Sequence, residues 1–535
     1  MKRNFAVFTA LLLVFALCMT GCAKKSESSS ASSAASSSAS SSASGEETMA
    51  KSPVEINVGI STGWDTLSPF RSNVGNNLPE WSIRVYESLG YLDGTNTLVS
   101  WVAKDWSTSD NGVSYDISIY DYVYDSQGNH ITSSDIVWFV NKAKEKALKP
   151  NFKYVQSVEA TGDYSVKVTF NNTLVGVFET FMTDAFVVSQ KAYEEQGDDF
   201  VNSCVSTSPY KVTSFVSGST CTLEKRDSYW QKSELLPEQL YANADKITLH
   251  TISEASQLGI ALETGVVDFA CMFAPATAVQ FEDNPDYTLQ KGESRNGWQI
   301  YFSGADEKAV ANDKYLRQAI CYALNNELMI SAVLEGYGDV MHDAASTYAM
   351  GYLSKWLDEE YYPYDIEKSK ECLAKSNYNG EELVLLGSSS TKTLAELIQN
   401  CCAAVGINIK LNLVDMALLT SIRLDGTQYD MFINQVGGIT LANFWNTRFD
   451  ANSYKTGDAT SRHDYVLADL IKEASTVEGF TEENIDKVHN YIKEEAYGYG
   501  MYQPQTLTVW RNDVGISKVV NDNIKCVIPS ACEYN

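Results

Sequence analysis

The sequence has few of the residues that usually build catalytic or metal sites. Histidine occurs only five times in 535 residues, at scattered positions: His130, His250, His342, His463 and His489. No H-E-x-x-H or C-x-x-C pair indicates zinc, and no G-x-x-x-x-G-K-[ST] loop is present to hold a phosphate. These absences argue against a zinc hydrolase and a nucleotide-driven enzyme, and we expect neither a metal nor a cofactor.

Positive charge is also scarce. The chain carries 41 Lys and Arg against 68 Asp and Glu, a formal net charge of −27. Nucleic acids and anionic lipid surfaces repel such a chain on average, so we expect no nucleic-acid partner. A solvated, non-adhesive surface explains the acidity; a preference for cationic ligands is the alternative.

Only one long apolar run is present, at the start of the chain. Lys2 and Arg3 precede Phe5–Cys18, fourteen residues that are apolar except for Thr9. As a helix this run would span roughly 21 Å, short of a hydrocarbon core of about 30 Å. The pattern predicts a signal peptide over residues 1–21 and a folded body outside the cytoplasm.

A short motif after this run resembles a bacterial lipobox. It is Met19–Cys22, in which Cys22 would carry the lipid and become the mature N-terminus. Residues 22–52 are dominated by Ser and Ala, which bury too little apolar surface to order, and predict a flexible tether. We therefore expect attachment to the cell membrane through lipid alone; an ordinary secretory signal is the alternative.

Nine cysteines remain once Cys18 and Cys22 are set aside. An exported location permits disulfides, and an odd number leaves at least one free thiol in a single chain. Two couples are candidates for pairing: Cys204 with Cys221, and Cys526 with Cys532. The alternative is that most cysteines are small buried apolar residues.

The body from residue 53 onward is long enough for two or three lobes. Alternating side chains predict a strand over 54–60, and helical spacing predicts helices over 81–89 and, with Gly265 as the stop signal, over 255–264. By the same patterns we predict strands over 115–120, 164–170, 210–215, 220–223, 383–386 and 407–413, and helices from Thr132 and over 314–324, 366–373 and 394–404. The irregular alternation of helices and strands favours α/β lobes.

One motif permits a hydrolase. Gly59–Gly63 fits G-x-S-x-G with Ser61 as the nucleophile. A nucleophile elbow needs a strand, a sharp turn and a helix, whereas a loop with Pro69 follows this motif. We therefore do not expect an enzyme, and an exported enzyme stays an alternative.

Ten motifs together resemble the extracellular solute-binding proteins of the dipeptide and oligopeptide class, which feed ATP-driven importers. Examples are Val85–Leu89, similar to the family's "vyEgL", and Ser206–Val212, similar to "GtGPYkv" with serines in place of glycines. The other matching stretches follow in the family's order: Asp65–Phe70, Trp101–Tyr115, Thr132–Ile136, Asp227–Trp230, Leu262–Asp268, Asp313–Ile320, Ile398–Ile407 and Tyr429–Met431.

This resemblance implies an α/β fold of the type II periplasmic-binding-protein kind, with two lobes and hinge strands between them. Lobe one would hold residues 53–295 and 500–535, and lobe two residues 296–499. Asn296–Tyr301 and Thr506–Trp510 would be the crossing strands. The implied function is capture of a peptide or peptide-like solute by a monomeric lipoprotein that delivers it to an ABC permease.

The resemblance also locates a ligand contact that this chain lacks. In peptide binders of the family, a carboxylate after the Tyr429–Met431 motif receives the ligand's ammonium group. No Asp or Glu lies between Asp430 and Asp450, and Gly437 stands about where that carboxylate would be. A modified or cyclic peptide, a sugar or another solute therefore competes with an ordinary peptide as the ligand.

Other side chains could replace the missing carboxylate, namely Asp65, Asp415 or Asp450. Gly437 and Gly438 either let the backbone approach a ligand closely or merely form a turn.

Large aromatic side chains are candidates for the cleft walls. They are Trp64, Trp81, Trp298, Phe444 and Trp445. Core packing is the alternative for each, and Trp64 and Trp445 flank loops that the family uses. The predicted ligand site is Trp64, Asp65, Trp298, Gly437, Gly438, Phe444 and Trp445. A surface receptor that senses the same ligand, or an importer component for a non-peptide solute, remains open at this point.

Overall fold

The structure is a computed structural model of the whole chain. It describes residues 52–70, 84–93, 97–110, 112–146, 150–171, 173–197, 204–437, 440–453 and 462–535. Pro53–Asn535 forms one compact unit. The predicted signal peptide, Cys22 and the tether lie outside the described residues.

Strands run through most of this unit. In chain order they are β1 Glu55–Ile60, β2 Gly90–Leu92, β3 Leu98–Ser100, β4 Ala103–Ser107, β5 Ser114–Ile119, β6 Val155–Gly162, β7 Ser165–Phe170, β8 Tyr210–Val216, β9 Thr220–Lys225, β10 Lys246–Thr251, β11 Phe269–Cys271, β12 Tyr287–Gly292, β13 Asn296–Phe302, β14 Gly338–Val340, β15 Leu383–Ser388, β16 Ile409–Val414, β17 Met431–Gly437, β18 Gly498–Pro504, β19 Thr506–Arg511, β20 Ile516–Lys518 and β21 Glu533–Tyr534.

Helices connect many of these strands. In chain order they are α1 Ser133–Lys146, α2 Val177–Asp184, α3 Gln190–Gln196, α4 Ala255–Glu263, α5 Pro275–Ala278, α6 Ala309–Asn312, α7 Lys314–Ala323, α8 Asn326–Leu334, α9 Ile366–Leu373, α10 Lys392–Ala404, α11 Met416–Asp425, α12 Leu441–Arg448, α13 Tyr465–Ala474 and α14 Glu482–Glu495.

The largest sheet, sheet A, has seven strands in the order β12-β19-β11-β1-β10-β9-β8. Strand β1 is parallel to both β10 and β11, and the remaining neighbours are antiparallel. Its two faces pack against different apolar clusters, one containing Val58 and the other containing Val509. Both faces are therefore covered, as in α/β proteins.

Sheet B has six strands in the order β14-β18-β13-β17-β15-β16. Strands β15, β16 and β17 are parallel, and β13 is antiparallel to β17 and β18. Alternate residues of β13 enter separate cores: Ile300 belongs to one cluster and Tyr301 to the other. Burial of each such side chain stabilises the folded protein by about 1.5–3 kcal/mol. This gain explains why both faces of sheet B are covered.

A smaller sheet, sheet C, has the order β4-β5-β7-β6 and is antiparallel throughout. Its buried residues, such as Val166 and Val168, belong to the same apolar cluster as one face of sheet A. Two further pairs, β2 with β3 and β20 with β21, complete the strands of the described chain.

Local sequence signals agree well with these elements. Helix α4 ends at Glu263, and Gly265 has φ +72, the left-handed conformation that glycine adopts without a steric penalty. The predicted strands over 210–215 and 220–223 are β8 and β9, which form a hairpin around Gly218, a residue that also has positive φ. The mixture of layered helices and sheets is the predicted α/β class.

The helix predicted over 81–89 does not extend that far. Residues 81–83 lie outside the described part, 84 and 85 are helical, and the chain is non-helical from 86. The helix ends here because tertiary contacts fix the next residues. Glu87 is fully buried and accepts hydrogen bonds from Trp101 Nε1 at 3.1 Å and Trp230 Nε1 at 2.8 Å. Burial raises the pKa of the Glu87 carboxyl. Ser88 then pairs with Phe186 in an isolated bridge.

The nine cysteines of the body are all free thiols, so neither candidate couple is bonded. Eight are buried, and burial raises the pKa of Cys204 and of Cys526 to about 12. The cysteines thus behave as small apolar core residues, the alternative stated above.

Candidate functional site

One edge of sheet A gathers the carboxyl ends of three parallel strands. Ile60 at the end of β1 is aligned with Thr251 of β10 and with Cys271 of β11. In open α/β sheets, ligands bind outside the carboxyl ends of the strands. The fold therefore favours a ligand site at this edge.

The chain passes from sheet A to sheet B at two short connections. Residues 293–295 join β12 to β13, and Gln505 joins β18 to β19. The predicted crossing strands exist, but each lies within one sheet, and the crossings are these connections. They are tied together, because Thr506 Oγ1 donates to the Glu293 carbonyl at 2.9 Å and Gln503 Nε2 donates to the Ser294 carbonyl.

A cavity of about 330 Å³ lies where the strand ends of sheet A meet the two connections. Its volume falls at the lower end of the range for small-molecule sites. The described lining residues come from both sheets: Ile60, Ser61, Thr62, Cys271, Met272, Phe273, Ser294, Asn296, Gln435, Pro504, Gln505, Thr506 and Leu507. Thr62, Asn296 and Gln435 are exposed, so the cavity is open to solvent.

Met272 has an unusual backbone conformation in this lining. Its φ is +52, a left-handed value that costs a non-glycine residue of order 1 kcal/mol. The side chain is 43% exposed and lines the cavity. The conformation is held from both sides, because β11 ends at Cys271 and the Phe273 amide donates to the Leu507 carbonyl at 2.9 Å.

A second set of contacts joins the segment after sheet C to the helices of sheet B. Thr440 Oγ1 donates to the Val175 carbonyl at 3.1 Å, and the Val175 amide donates to the Ser475 carbonyl at 3.0 Å. Leu174 and Thr476 pair in an antiparallel bridge. The parts that contain sheets B and C are thus in contact away from the two chain crossings.

Arg295, in the first connection, contacts the segment near the C-terminus. Its Nη2 lies 3.1 Å from Asn523 Oδ1 and 3.7 Å from Asp522 Oδ2, and its guanidinium stands 5.1 Å from the centre of the Tyr348 ring. Burial raises the pKa of the Asp522 carboxyl, and Arg295 offsets part of that rise. Asn523 also donates to the Tyr348 hydroxyl at 2.6 Å.

The predicted residues Trp64 and Asp65 follow the cavity lining in sequence but are not among its lining residues. Trp64 is 8% exposed and belongs to the large apolar cluster, and its carbonyl accepts from the Gly218 amide at 2.7 Å. Asp65 is exposed, and its carbonyl accepts from the Ser217 hydroxyl at 3.0 Å. Both follow Ser61 and Thr62, which line the cavity itself.

The structure explains one of the two predicted glycines. An ideal Cβ on Gly437 would lie 2.1 Å from Asn296 Oδ1 and 2.3 Å from the Arg295 carbonyl oxygen. Glycine is needed here because the end of β17 approaches the chain crossing closely. Gly438 lies outside the described residues.

The predicted aromatic residues lie in two different environments, one partly buried and one in the apolar core. Trp298 is partly buried and lies opposite Gln435 in the register of β13 and β17, so the two side chains share a face. Phe444 and Trp445, at 6% and 0% exposure, pack in the cluster that contains Tyr301. Trp81 lies outside the described residues.

The other acidic candidates have local structural partners. Asp415 caps helix α11, accepting from the Leu418 amide at 2.9 Å. Asp450 accepts from the backbone and the side-chain amide of Asn452.

The G-x-S-x-G serine, Ser61, lies directly after the end of β1, in a segment without helix. Residues 61–70, after the G-x-S-x-G serine, are turn and irregular structure, and no helix follows the serine there. No group of three or more His, Cys, Asp or Glu side chains among the described residues could hold a metal ion. Ser61 instead contributes to the cavity lining.

Sequence reasoning missed several lining residues, chiefly Cys271, Met272, Gln435 and Gln505. Ser61 and Thr62 stood out only through a motif for different chemistry, and Asn296 only as part of a crossing strand. Position along the chain could not reveal the others, because the pairing of β11 with β1 and of β17 with β13 brings them together.

Among the helices that the structure describes, none combines the length and the apolar character that crossing a bilayer requires.

Known proteins resemble this chain in sequence and in fold. Residues 97–456 match the bacterial extracellular solute-binding proteins, family 5, in their middle region. The glutathione-binding protein GsiB of Shigella flexneri is 25% identical over 377 residues, covering 68% of this chain and 70% of GsiB.

Solved structures share the architecture at lower sequence identity. HbpA2 from Haemophilus parasuis superposes with a TM-score of 0.78 at 17% identity, covering 90% of this chain and all of the other (100%). DppA from Helicobacter pylori, in complex with the peptide STSA, gives 0.68 at 19% identity, covering 88% and 97%. The predicted two-lobed α/β fold of the type II binding-protein kind is confirmed. The match to residues 97–456 spans well over half of the chain, which therefore belongs to family 5 of the bacterial extracellular solute-binding proteins.

Proposed function

We propose that this protein captures a peptide-like solute between sheets A and B and delivers it to an ABC permease. The observation that carries the proposal is the cavity at the two chain crossings, which is lined by strand ends of sheet A and by residues of sheet B. A ligand seated there touches both sheets at once. Such contacts favour the conformation in which the two sheets are close together.

The moving bodies in this proposal are residues 53–295 with 500–535, and residues 296–499. Sheet membership supports the boundary between 295 and 296, and it favours a second boundary at Gln505 over one between 499 and 500, because β18 extends to Pro504 within sheet B. Short connections at 293–295 and at Gln505 would then act as the hinge. A permease would read the closed shape, so the function needs no covalent chemistry.

The names of the relatives support a peptide-like solute. GsiB is described as a glutathione-binding protein, and DppA was solved with the peptide STSA. Glutathione is itself a peptide with a modified backbone. The proposal for this chain is accordingly a short peptide or a derivative of one.

Attachment to the membrane completes the proposal. Residues 1–21 would be removed as a signal peptide, Cys22 would be lipidated, and residues 22–52 would hold a monomeric body close to the permease. Labelling cells with a radioactive fatty acid should tag the wild-type protein and the Cys18→Ala variant but not Cys22→Ala. Equal labelling of Cys22→Ala would contradict the lipid attachment.

The experiment that tests the binding function uses residues 53–535, which form a compact unit by themselves. Native mass spectrometry should detect a small molecule that dissociates on unfolding, and peptides should raise the melting temperature of the stripped protein. Ligand at about a hundred times its Kd adds about 2.7 kcal/mol to the free energy of unfolding. A melting temperature that no peptide pool changes would overturn the proposal.

A further inference from the structure

The described lining of the cavity carries neither an acidic nor a basic side chain. Its polar groups are carboxamides and hydroxyls, which both donate and accept hydrogen bonds. They belong to Asn296, Gln435, Gln505, Ser61, Thr62, Ser294 and Thr506. The remaining described lining is apolar apart from the Cys271 thiol. A solute group that enters this cavity thus meets neutral partners.

The cation in the first connection has partners outside the cavity lining. Arg295 lies between two lining residues, Ser294 and Asn296, yet its guanidinium contacts Asp522 and Asn523. Asp522 is 5% exposed, and moving Arg295 away would leave a buried carboxylate without an opposite charge, which is destabilising. Arg295 is therefore committed to this contact and is a poor partner for a solute carboxylate.

Two carboxylates next to lining residues are also engaged. Asp339 Oδ2 accepts from Nε2 of the lining residue Gln505 at 3.3 Å. The Glu293 carboxylate accepts a hydrogen bond from Lys525, and the Glu293 backbone carbonyl accepts one from Thr506 Oγ1.

The end of β17 leaves no room for a further acidic group. Gly437 lies opposite Asn296 in the strand register, and an ideal Cβ there would be 2.3 Å from the Arg295 carbonyl oxygen. Contacts under 3 Å do not occur for real Cβ atoms. A side chain that could neutralise an ammonium group cannot be accommodated at this position without moving the chain crossing.

We infer that the cavity selects a solute whose buried end is uncharged and amide-rich: a short peptide whose α-amino group is acylated or part of a ring. Burying an ammonium group without a counter-charge is costly, whereas a neutral amide can pair with Asn296, Gln435 and Gln505. This inference rests on the proposed binding function and names the chemical class of its ligand.

The test compares two matched pools of short synthetic peptides, one with free α-amino groups and one N-acetylated. Competition between the pools on the purified full-length chain is followed by native mass spectrometry, and the best binders are measured by calorimetry. We expect the acetylated form of a given peptide to bind at least about tenfold more tightly than its free-amine form.

The pH dependence gives an independent readout. An α-amino group has a pKa of about 7.7–8.0, so its neutral fraction rises on the order of twentyfold between about pH 6.5 and about pH 9. The affinity of free-amine peptides should rise with pH by a similar factor. The affinity of acetylated peptides should stay constant over the same range.

Variants separate the charge of the cavity from its shape. Gln435 is exposed within the cavity, so Gln435→Glu should fold normally and place a carboxylate on the wall. It should reduce or reverse the preference for acetylated peptides, whereas Gln435→Met should keep it. Gln156→Glu adds the same charge on an exposed position of β6 in sheet C and should leave the preference unchanged.

The outcomes distinguish the two proposals. Tighter binding of free-amine peptides, with no gain in affinity as the pH rises, would overturn the neutral-end inference and leave peptide capture standing. Binding of neither pool would overturn both.

Discussion

Gly176 lies directly against Thr440, and the contact has no room for a side chain. An ideal Cβ on Gly176 would be 2.0 Å from Thr440 Cγ2, and Gly176 has φ +88. Beside it, the Thr440 hydroxyl donates to the Val175 carbonyl at 3.1 Å. Under the proposed closing motion this contact forms only when the bodies that carry sheets B and C are together.

Gly176→Ala should therefore weaken ligand binding. The added methyl group collides with Thr440 only in the closed form, and overpacking of this kind costs about 1–2 kcal/mol, whereas the left-handed backbone strain is present in both forms. A loss of that size confined to the closed form raises Kd by roughly 5- to 30-fold. Calorimetry gives Kd, and small-angle scattering should show a larger radius of gyration for the variant at the same ligand concentration.

Two variants separate the backbone strain from the collision. Gly128 has φ +82 with nothing within 4 Å of its ideal Cβ, so Gly128→Ala should lower stability without changing Kd. Thr440→Ser keeps the hydroxyl and removes Cγ2, and should restore part of the affinity of Gly176→Ala. Equal loss of affinity in Gly176→Ala and Gly128→Ala would contradict the closing contact.

Met272 offers a test of strain inside the cavity. Because its φ is +52, Met272→Gly should relieve the backbone, whereas Met272→Ala keeps the strain and removes the same side chain. We expect the glycine variant to be more stable than the alanine variant by about 1 kcal/mol, measured by urea unfolding. Both should bind the ligand more weakly, because the exposed thioether side chain lines the cavity.

The opposite order of stability would show that Met272 is not strained. Wild-type affinity in both variants would show that Met272 is not part of the site.

Most elements of the fold could be predicted from local patterns. The alternation in β1 and the glycine after α4 are signals that nearby residues provide, and tertiary packing agrees with them. The helix over 81–89 was overextended because Glu87 forms buried hydrogen bonds with Trp101 and Trp230, which lie far along the chain. No local pattern contains that information.

The cavity was harder to predict for the same reason. Ile60 and Cys271 line it together because β1 and β11 are parallel neighbours, a pairing across some two hundred residues of sequence. The sequence did indicate Gly437 as a candidate ligand-site residue. The structure supplies the cause, a close approach to the Arg295 carbonyl, which sequence alone could not distinguish from a turn or a ligand contact.

Asp522 should make stability fall as the pH rises above about 4. Burial raises the pKa of Asp522 in the folded protein. Between about pH 4 and this raised pKa, the folded state therefore holds a proton that the unfolded chain has released. The unfolded state then binds fewer protons, and the free energy of unfolding decreases with pH up to the raised pKa. Urea unfolding between about pH 4 and about pH 7 should show a smaller decrease for Asp522→Asn than for the wild type.

Arg295 provides the complementary variant. Its charge lowers the pKa of Asp522 and offsets part of the effect of burial, so Arg295→Gln should make the decrease steeper. Identical pH profiles for all three proteins would mean that Asp522 does not titrate in this way.

Trp445 and Trp298 should respond differently to truncation, although both were predicted to be cleft walls. Trp445 is 0% exposed within an apolar cluster, and its replacement by alanine should cost about 3–5 kcal/mol of stability. Trp298 is only partly buried and shares a face with Gln435 of the cavity, so Trp298→Ala should lower stability less and weaken ligand binding more. Urea unfolding and calorimetry on the two variants separate these effects. Full stability with lost binding in Trp445→Ala would place Trp445 in the cleft wall and contradict its assignment to the core.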